Sequence, residues 1–513
     1  MLDQDTVMSL QPMMLSIVTI LISCAIFYML KKLIIKRSAD RSNIKLNLPP
    51  SPPKIPIFGN IHQLSPILHQ CFHRMSTKYG PLMLLNLGEK RILVVSSAEM
   101  ATQIVKTHDL TFADRLCTKA AKVMFFGGNN IALAPYGEQW RQLRKFCVLE
   151  LLSNKRVQSF KYVREEEIYK VVEKIAHSSR KGEMINLSET LFTLSNSIII
   201  RCSLGDNFNK DYIERFLKLI KKATALIESF SFGDFIPWLI WMDTVTGLNR
   251  KLRKTSQELD TFFNQIIDDH HLDDAKNDKT NFIDLLVLHA EKDNLSLTRD
   301  AMKGIIMDMF VGGSDTSPTV IEWAMAELIK NPKLMKKAQE EVRRVVGNKT
   351  KVEEDDINQM DYLKCIVKES LRLHPPLPNL ISRNSSANVN IGGYDIPQNT
   401  GVFINVWTIQ RDPKFWDRPD EFYPERFENN LVDLKGQDFQ FFPFGSGRRG
   451  CPGISFGLAV VEFALANLLY NFDWKLPGGA NVKGLDMTEG FGITVNRKIP
   501  LQVVPVLFRS ASS

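Results

Sequence analysis

The chain reads Phe444-Gly445-Ser446-Gly447-Arg448-Arg449-Gly450-Cys451-Pro452-Gly453 directly before an apolar run, Ile454 to Tyr470. Such a run predicts a buried helix, and a cysteine at the start of a helix lies where the positive end of the dipole favours thiolate over thiol. Glycines before Cys451 let the backbone fold over the sulfur, and Pro452 suits a first helical turn. A lone buried cysteine is usually inert packing, but the whole pattern favours an anionic sulfur of the kind that ligates a haem iron.

The composition is that of a globular protein, with 44% apolar and 24% charged residues among 513. Such a chain can bury a sizeable core, so intrinsic disorder is not expected. Its seven cysteines are dispersed, which argues against a disulfide framework or a zinc site and predicts a reducing compartment. The net charge of +8 arises largely between Lys31 and Lys45, where six basic residues stand against Asp40, so no nucleic-acid partner is predicted.

An uncharged apolar segment, Met13 to Leu30, precedes this basic stretch. It is near the minimum length for crossing a bilayer, and Leu33 to Ile35 can extend it. A cleaved signal peptide is the alternative, but it would begin with positive charge, whereas Asp3 and Asp5 stand here. A buried core helix would leave the basic flank unexplained. By the positive-inside rule we predict a single-pass anchor in the lipid bilayer, with a lumenal N-terminus and a cytosolic body.

Prolines follow between Pro49 and Pro56, where they remove donors and hold the backbone extended, so this segment is interpreted as a stiff spacer. Alternating apolar residues in Leu82 to Leu87 and Ile92 to Val95 predict a small hairpin around Gly88. The predicted organisation is a lumenal N-terminus at 1–12, a transmembrane anchor at 13–35, a basic and proline-rich linker at 36–56 and one catalytic domain at 57–513.

Helical periodicity predominates from about Ser97 to His374, for example in Val163 to Ile175 and in Leu328 to Val346. The polar stretch Asp268 to Lys279 is interpreted as a solvated loop. The predicted fold class is therefore mainly α with a minor β-sheet, in a single large domain.

A helix predicted over Thr298 to Lys330, with Thr298 as its cap, contains the unusual sequence Val311-Gly312-Gly313-Ser314-Asp315-Thr316-Ser317-Pro318. Mid-helix glycine costs about 1 kcal/mol and proline about 3 kcal/mol, so one interpretation is a loop between two shorter helices. The other is a functional kink, where glycines allow close approach to a flat cofactor and opened hydrogen bonds leave a groove for dioxygen. Asp315 and Thr316 could then relay protons to the oxygen.

The segment around Cys451 resembles the haem-binding signature of the cytochromes P-450, F-x-x-G-x-R-x-C-x-G, at every fixed position, and further matches cover essentially the whole chain. The resemblance implies the cytochrome P-450 fold, haem b as cofactor, Cys451 as the iron ligand and Phe444 as a haem contact. The glycine-containing helix is similar to the oxygen-activation motif of the family, which implies that role for Asp315 and Thr316. Pro318 departs from the small residue that is more usual there.

Glu369 and Arg372 lie three residues apart on one helical face, where an isolated pair would be a surface salt bridge worth under about 1 kcal/mol. The pair looks like the E-x-x-R motif of the family, and Pro424-Glu425-Arg426-Phe427 resembles its partner. The resemblance therefore implies a buried structural network of Glu369, Arg372 and Arg426 behind the haem.

Trp140 and Arg144 lie four residues apart on one helical face, which in isolation suits a generic basic helix. They are similar to the W-x-x-x-R motif that faces a haem propionate in the family. The resemblance also implies propionate contacts for Arg449 and Arg383, since guanidinium forks suit carboxylates. Ser382 replaces the proline that is more typical before Arg383.

The resemblance also indicates a substrate pocket formed by the loop before Trp140, the helix above the haem, the stretch after Pro376 and a late hairpin. The residues at these positions are Phe125, Phe126, Phe310, Gly312, Leu377, Leu380, Ile381, Phe491 and Ile493. All but the glycine are apolar or aromatic, so a hydrophobic small molecule is expected, although any one of them could be an ordinary core residue.

The motif Phe112-Ala113-Asp114-Arg115 and the proline segment resemble the plant microsomal class, which implies specialised metabolism, of terpenoids or alkaloids for example, at the endoplasmic reticulum membrane. No flavin or nicotinamide motif is evident, so electrons would come from NADPH through a separate reductase, for which Lys145, Lys155 and Arg448 could form a docking patch. The predicted function is monooxygenation of a hydrophobic molecule. A haem-thiolate isomerase or oxidative coupling enzyme, and a non-catalytic membrane haem carrier or sensor, are the alternatives.

Overall fold

The computed structural model describes residues 46–205, 210–269, 280–292, 297–430 and 432–508. The chain divides into two compact units, 1–48 and 49–513. The predicted membrane anchor at 13–35 lies outside the described residues, as does most of the polar stretch interpreted as a loop. The elements below therefore belong to the second unit.

The α-helices of the described ranges are α1 (Leu68–Tyr79), α2 (Ala98–Thr102), α3 (Lys119–Met124), α4 (Glu138–Phe146), α5 (Asn154–Ser159), α6 (Lys161–Lys181), α7 (Leu187–Leu204), α8 (Lys210–Ile227), α9 (Phe232–Phe235), α10 (Met242–Val245), α11 (Leu248–Asp269), α12 (Phe282–Lys292), α13 (Arg299–Lys330), α14 (Pro332–Val346), α15 (Asp361–Leu373), α16 (Val406–Ile409) and α17 (Ile454–Asn471). The strands are β1 (Leu82–Leu87), β2 (Lys90–Val95), β3 (Asp114–Arg115), β4 (Ile185–Asn186), β5 (Arg383–Asn384), β6 (Val389–Ile391), β7 (Tyr394–Ile396), β8 (Gly401–Ile404), β9 (Phe472–Lys475) and β10 (Gln502–Leu507). The fold is mainly helical with small sheets, as predicted.

The larger sheet contains the predicted hairpin. β1 and β2 are antiparallel, with Leu87 opposite Lys90, so the hairpin prediction is confirmed. The hairpin is extended into a five-stranded sheet of order β1-β2-β8-β5-β3, in which only the β2–β8 pairing is parallel. A three-stranded sheet has the order β4-β10-β9, and β6 pairs with β7 alone. The sequence pattern indicated the hairpin but not its partners, which come from distant parts of the chain.

Helix α13 is the central element of the fold. It runs without interruption through Gly312, Gly313 and Pro318, so the alternative of a loop between two helices is wrong. Thr298 caps it as predicted, because its side chain accepts the Ala301 N–H at 3.2 Å. The helix packs against α7 and α17. This tertiary packing outweighs the poor helix propensity of the glycines and the proline.

A second helix prediction is wrong in its bounds. The periodicity between Leu328 and Val346 belongs to two helices, because α13 ends at Lys330 and α14 begins at Pro332. Asn331 between them has φ −120° and ψ 78°, outside the helical region. The break follows from Pro332, which disfavours the α conformation of the preceding residue and suits the first turn of a new helix.

The proline segment is part of the body. Leu84 N–H donates to Pro50 O at 2.9 Å, and the Asn60 side-chain amide donates to Pro52 O and Pro53 O at 3.3 Å each. Pro50, Pro52 and Pro53, which were predicted to form a stiff spacer, therefore accept hydrogen bonds from the body of the domain. Among the described helices, α17 alone is long and apolar enough to cross a membrane, and 56% of it is buried. It packs among α13, α14 and α15 as a core helix of the domain.

Candidate active site

The loop before α17 folds back around Cys451. The Cys451 N–H donates to Phe444 O at 2.9 Å, and the Gly453 N–H donates to the Cys451 Sγ at 3.3 Å. Gly445 and Gly447 have φ of +70° and +67°, which glycine adopts without strain. Phe444 thus supports the loop through its backbone. The arrangement leaves the sulfur facing an amide hydrogen at the start of a helix.

The polypeptide alone does not favour the thiolate at Cys451, contrary to the expectation from the helix dipole. Burial raises the pKa of the thiol, and this outweighs the Gly453 N–H and the Arg144 guanidinium, which lower it. The side chain is nevertheless accessible to water. A bound metal cation deprotonates a coordinating thiol outright, so an iron atom at this sulfur would supply the missing stabilisation. The soft sulfur donor fits the iron of haem.

Arg144, Arg449 and Trp140 meet beside the cysteine loop. The Arg144 Nη2 donates to Gly450 O at 2.5 Å, and the Arg449 guanidinium lies 4.2 Å from the centre of the Trp140 ring. The Trp140 Nε1 and the Arg449 Nη1 both donate to Ile131 O, at 2.9 and 3.2 Å. Helix α4 and the cysteine loop therefore present their cationic groups at one place.

Arg383 and Arg115 complete this cluster. The Arg383 Nη1 donates to Asp109 Oδ1 at 2.8 Å, and the Arg115 Nη1 donates to Ile381 O at 2.7 Å. Burial lowers the pKa of Arg115 well below its ordinary value, and the charges of Arg449, Arg383 and Arg144 lower it further. Mutually repelling guanidinium groups beside a ligating sulfur fit a haem with its two anionic propionates. Arg115 was missed as a site residue, although its motif had been singled out.

The proposed oxygen-activating residues lie on an internal stretch of α13 that is less buried than the parts of the helix on either side. Residues 301–310 and 317–329 are buried, whereas Gly312 is exposed and Asp315 and Thr316 are half-buried. The Thr316 Oγ1 donates to Gly312 O at 2.7 Å. A Cβ on Gly312 would meet nothing within 4 Å, whereas one on Gly313 would lie 3.0 Å from Ile199 Cδ1. Only the first glycine therefore borders open space, since the second lets α7 approach.

Helix α13, which carries Asp315, is in direct contact with α17, the helix that follows the cysteine loop. A Cβ on Gly457, in α17, would lie 3.7 Å from the Ser317 Oγ, one residue beyond Thr316. Burial raises the pKa of Asp315, and the negative charge of Glu228 raises it further. A carboxyl that is held closer to neutrality can both donate and accept a proton, which suits a proton relay.

Asp308 is a further buried acid that the sequence did not single out. Its carboxylate accepts hydrogen bonds from Asn130 Nδ2 and Ile131 N at 2.7 Å and from Ala132 N at 3.3 Å. Burial raises the pKa of Asp308 to about 7. Because Ile131 O in turn accepts from Trp140 and Arg449, Asp308 links α13 to the cationic cluster. An acid within the apolar run that begins at Ala301 was the available signal.

The structure brings Glu369, Arg372 and Arg426 together. Arg372 donates to both carboxylate oxygens of Glu369, at 2.7 and 2.9 Å, and the Arg426 Nε donates to Glu369 Oε1 at 3.0 Å. Glu369 and Arg372 are fully buried. The remaining Arg372 donors reach carbonyl oxygens of Gln410 and Pro419 at 2.8 and 2.7 Å. The network therefore ties helix α15 to the segment that follows α16.

The predicted pocket residues are only partly brought together. Leu380, Phe491 and Ile493 line a cavity of about 190 Å³ together with Glu228 and Phe403. The other predicted pocket residues do not line this cavity.

Phe310 is fully buried against Phe216, with ring centres 4.5 Å apart. Phe125 is also in the core, and Phe126 packs on Phe263 with ring centres 5.8 Å apart. Leu377 is half-buried and Ile381 is exposed, and neither lines the cavity. Ring packing thus accounts for Phe310 and Phe126, and burial in the core accounts for Phe125.

The comparisons agree with this geometry. A profile of the cytochrome P-450 family matches residues 49–502. The chain is 50% identical to desmethylyatein synthase of Sinopodophyllum hexandrum, over 90% of this chain and 94% of that protein. It is 48% identical to phenylacetaldehyde oxime monooxygenase of Prunus mume, over 94% of each chain. A zebrafish cytochrome P-450 solved with progesterone shares the fold, with a TM-score of 0.71, 22% identity, and coverage of 85% of this chain and 99% of that one.

A helical domain with a glycine-lined cysteine loop beside a cluster of arginines defines a haem-thiolate oxidoreductase. The chain belongs to the cytochrome P-450 family, and its relatives include plant members of that family. It is a haem-dependent monooxygenase, so the predictions of family, fold class, cofactor and enzyme class are confirmed. When bound, haem supplies the iron at which dioxygen is activated.

Proposed function

We propose that this monooxygenase oxidises a hydrophobic plant specialised metabolite at the endoplasmic reticulum membrane, with electrons from NADPH delivered by a separate reductase. The observation that carries the proposal is the contact between α13 and α17, the helix that follows the cysteine loop, at Ser317, the residue after Thr316. This contact brings the acid-alcohol pair of α13 next to the helix that begins just after Cys451.

Each site residue has a proposed role. Cys451 would hold the iron, and Arg144, Arg383, Arg449 and Trp140 would surround the propionates. Phe444 would contact the haem from the cysteine loop. These assignments are supported by the convergence of the cationic side chains beside the loop.

The proton-handling roles belong to α13. Asp315, whose pKa is raised by burial, would give up and regain a proton, and Thr316 would hold a hydroxyl at the open face of the helix. Gly312 leaves the space that an oxygen molecule and water need there. Glu369, Arg372 and Arg426 would act only as structural support.

A surface concavity supports the proposed reductase contact. It is lined by Arg141, Arg144, Lys145 and Arg448, together with the exposed apolar residues Val148 and Leu149. Cationic groups around an apolar centre suit a transient partner with an acidic surface. Arg144 also donates to Gly450 O, next to the cysteine, so a partner bound here would lie close to the sulfur. Lys155 is exposed and would contribute charge.

The substrate class follows from the cavity and from the relatives. Leu380, Phe403, Phe491 and Ile493 make the cavity predominantly apolar. One plant relative is named for phenylacetaldehyde oxime, a compound with an aromatic ring. A hydrophobic molecule with an aromatic ring is therefore the proposed substrate. The membrane anchor at 13–35 would bring the enzyme to the bilayer in which such molecules dissolve.

The test is co-expression of the full chain with an NADPH-dependent reductase, followed by untargeted product profiling under labelled dioxygen. We expect a red-shifted Soret band for the reduced, carbon monoxide-bound protein, and labelled oxygen in the product. Products without label would favour an isomerase or coupling enzyme. If no candidate substrate stimulated NADPH consumption, a haem carrier or sensor would be favoured.

A further inference from the structure

One carboxylate lies in the wall of the predominantly apolar cavity. Among the described residues that line this cavity, Glu228 is the only acid, and its neighbours include Leu380, Phe403, Ile493 and Val495. A charged group in an apolar wall is expensive to desolvate unless it meets a partner. Glu228 is therefore the acid that would fix the orientation of a cationic molecule bound there, beside the polar lining residues His69 and Asn379.

The backbone holds this carboxylate in place. The Ile493 N–H donates to the Glu228 Oε1 at 2.9 Å, which ties the residue after helix α8 to the late hairpin. Within the described part of the chain, no ion pair neutralises Glu228. The basic residue in the lining, His69, is already bound to Glu489, with 2.7 Å between the Nε2 and Oε2 atoms. The negative charge of Glu228 therefore lacks a countercharge in the cavity.

The cavity adjoins the reacting centre on two sides. Leu380 lines it, and the Leu380 Cδ1 lies 3.8 Å from where a Cβ on Gly445 of the cysteine loop would be. On the other side, the charge of Glu228 raises the pKa of Asp315, which burial already raises, while the positive charge of Lys221 acts in the opposite direction. Two carboxyl groups that repel each other across a space of low polarity are both stabilised by a cation placed near them.

We propose that Glu228 determines specificity by binding the protonated amine of an otherwise apolar substrate. This inference rests on the proposed function and narrows its substrate class to molecules with a basic nitrogen. The amine end lies at Glu228, and the apolar end extends past Leu380 within the cavity. A neutral group would gain less from this site, because it lacks the positive charge that the carboxylate attracts.

The test compares two probes of the same shape, (4-phenylbutyl)trimethylammonium and its uncharged carbon analogue (5,5-dimethylhexyl)benzene. The quaternary nitrogen has no lone pair, so it cannot coordinate iron and reports only on charge. Binding to the full-length haem-loaded enzyme is measured by equilibrium dialysis. We expect the cation to bind about tenfold more tightly than its neutral analogue. This preference should disappear in Glu228→Gln.

Glu214→Gln is the matched control, because Glu214 is an exposed acid on helix α8, which ends one residue before Glu228, and it does not line the cavity. It should retain the full preference for the cation. Equal binding of the two probes by the unmodified enzyme would overturn the proposal, as would a preference that persists in Glu228→Gln. Dialysis needs no electron transfer, so failure here is distinct from failure of turnover with a reductase.

Discussion

The buried side chain of Asp308 connects helix α13 to a distant loop and, through that loop, to the cationic cluster. Its carboxylate accepts from Asn130, Ile131 and Ala132, and the carbonyl of Ile131 accepts from the tryptophan and an arginine of the cationic cluster. The residue lies within a helix, yet all three donors belong to a loop more than 170 positions earlier. It therefore positions groups that would surround a haem.

The raised pKa of Asp308 predicts a pH-dependent stability. Burial lifts this pKa from the ordinary 3.8 to about 7, so between these values the folded protein holds a proton that the unfolded chain has lost. The contribution of Asp308 to the free energy of unfolding is thus largest below about pH 4 and declines as the pH rises towards 7, by at most roughly 1.4 kcal/mol per pH unit.

Urea unfolding at pH 5 and pH 7.5 measures this effect. The difference in stability between the unmodified protein and Asp308→Asn should shrink as the pH rises, because the amide does not titrate. Asn130→Ala removes one hydrogen bond but keeps the carboxyl buried, so it should retain the pH dependence. A difference that is constant with pH would show that Asp308 is ionised throughout this range.

Thr316 carries a second prediction for a single side chain. Its hydroxyl donates to Gly312 O at the open face of α13, where it would hold water for proton delivery. Thr316→Ala should keep haem binding but raise several-fold the share of NADPH electrons that appear as hydrogen peroxide. Thr316→Ser keeps the hydroxyl and should stay near the unmodified ratio of product to peroxide. Unchanged coupling in the alanine variant would remove Thr316 from the proton path.

Helix α13 combines close packing with one open turn. Its N-terminal half has Gly304, where a Cβ would lie 2.2 Å from Asn129 O, whereas a Cβ on Gly312 would meet nothing within 4 Å. Glycine therefore has opposite functions at two positions of one helix. Gly304 permits close contact with the backbone of Asn129, and Gly312 leaves open space beside the helix.

Alanine substitutions at these two glycines should have opposite effects on stability. Gly304→Ala forces the backbone of Asn129 away and should lower the free energy of unfolding by about 1–3 kcal/mol. Gly312→Ala has room for the methyl group and gains helix propensity, so it should raise stability by up to about 1 kcal/mol. Chemical unfolding followed by circular dichroism measures both. Shifts of the same sign would mean that the space beside Gly312 is not open.

The whole domain depends on contacts that join its helices to the segment before the cysteine loop. Glu369 receives Arg372 from its own helix and Arg426 from beyond α16, all with little exposure to water. The pair Lys161–Asp355 also joins distant segments, but Asp355 is highly exposed. Because the Glu369 network is buried, the fold depends on it. The exposed Lys161–Asp355 pair is dispensable.

Removal of one buried partner should therefore disrupt the domain. Glu369→Ala leaves two buried guanidinium groups without their acceptor, which typically destabilises a protein by about 3–5 kcal/mol. We expect little or no protein with the red-shifted carbon monoxide Soret band, measured against total protein. Asp355→Ala should yield the same fraction of haem protein as the unmodified chain. A normal haem content in Glu369→Ala would contradict the structural role.

Short segments of the sequence were sufficient to predict the family, the fold class, the β1–β2 hairpin, the cap at Thr298 and the cysteine loop. In each case the informative residues are contiguous or a few positions apart, so backbone preferences and side-chain chemistry act locally. The E-x-x-R pair was visible for the same reason. Its third member could be found only through a resemblance, because Arg426 is 57 positions from Glu369.

Tertiary structure alone decided which long-range neighbours each residue has. It placed Arg115 in the cationic cluster, buried Phe310 against Phe216, turned Gly313 towards α7 and put Glu228 in the apolar cavity. It also raised the pKa of the Cys451 thiol where the helix dipole alone predicted the reverse. Burial and electrostatics depend on everything that surrounds a group in three dimensions, and no local pattern in the sequence contains that information.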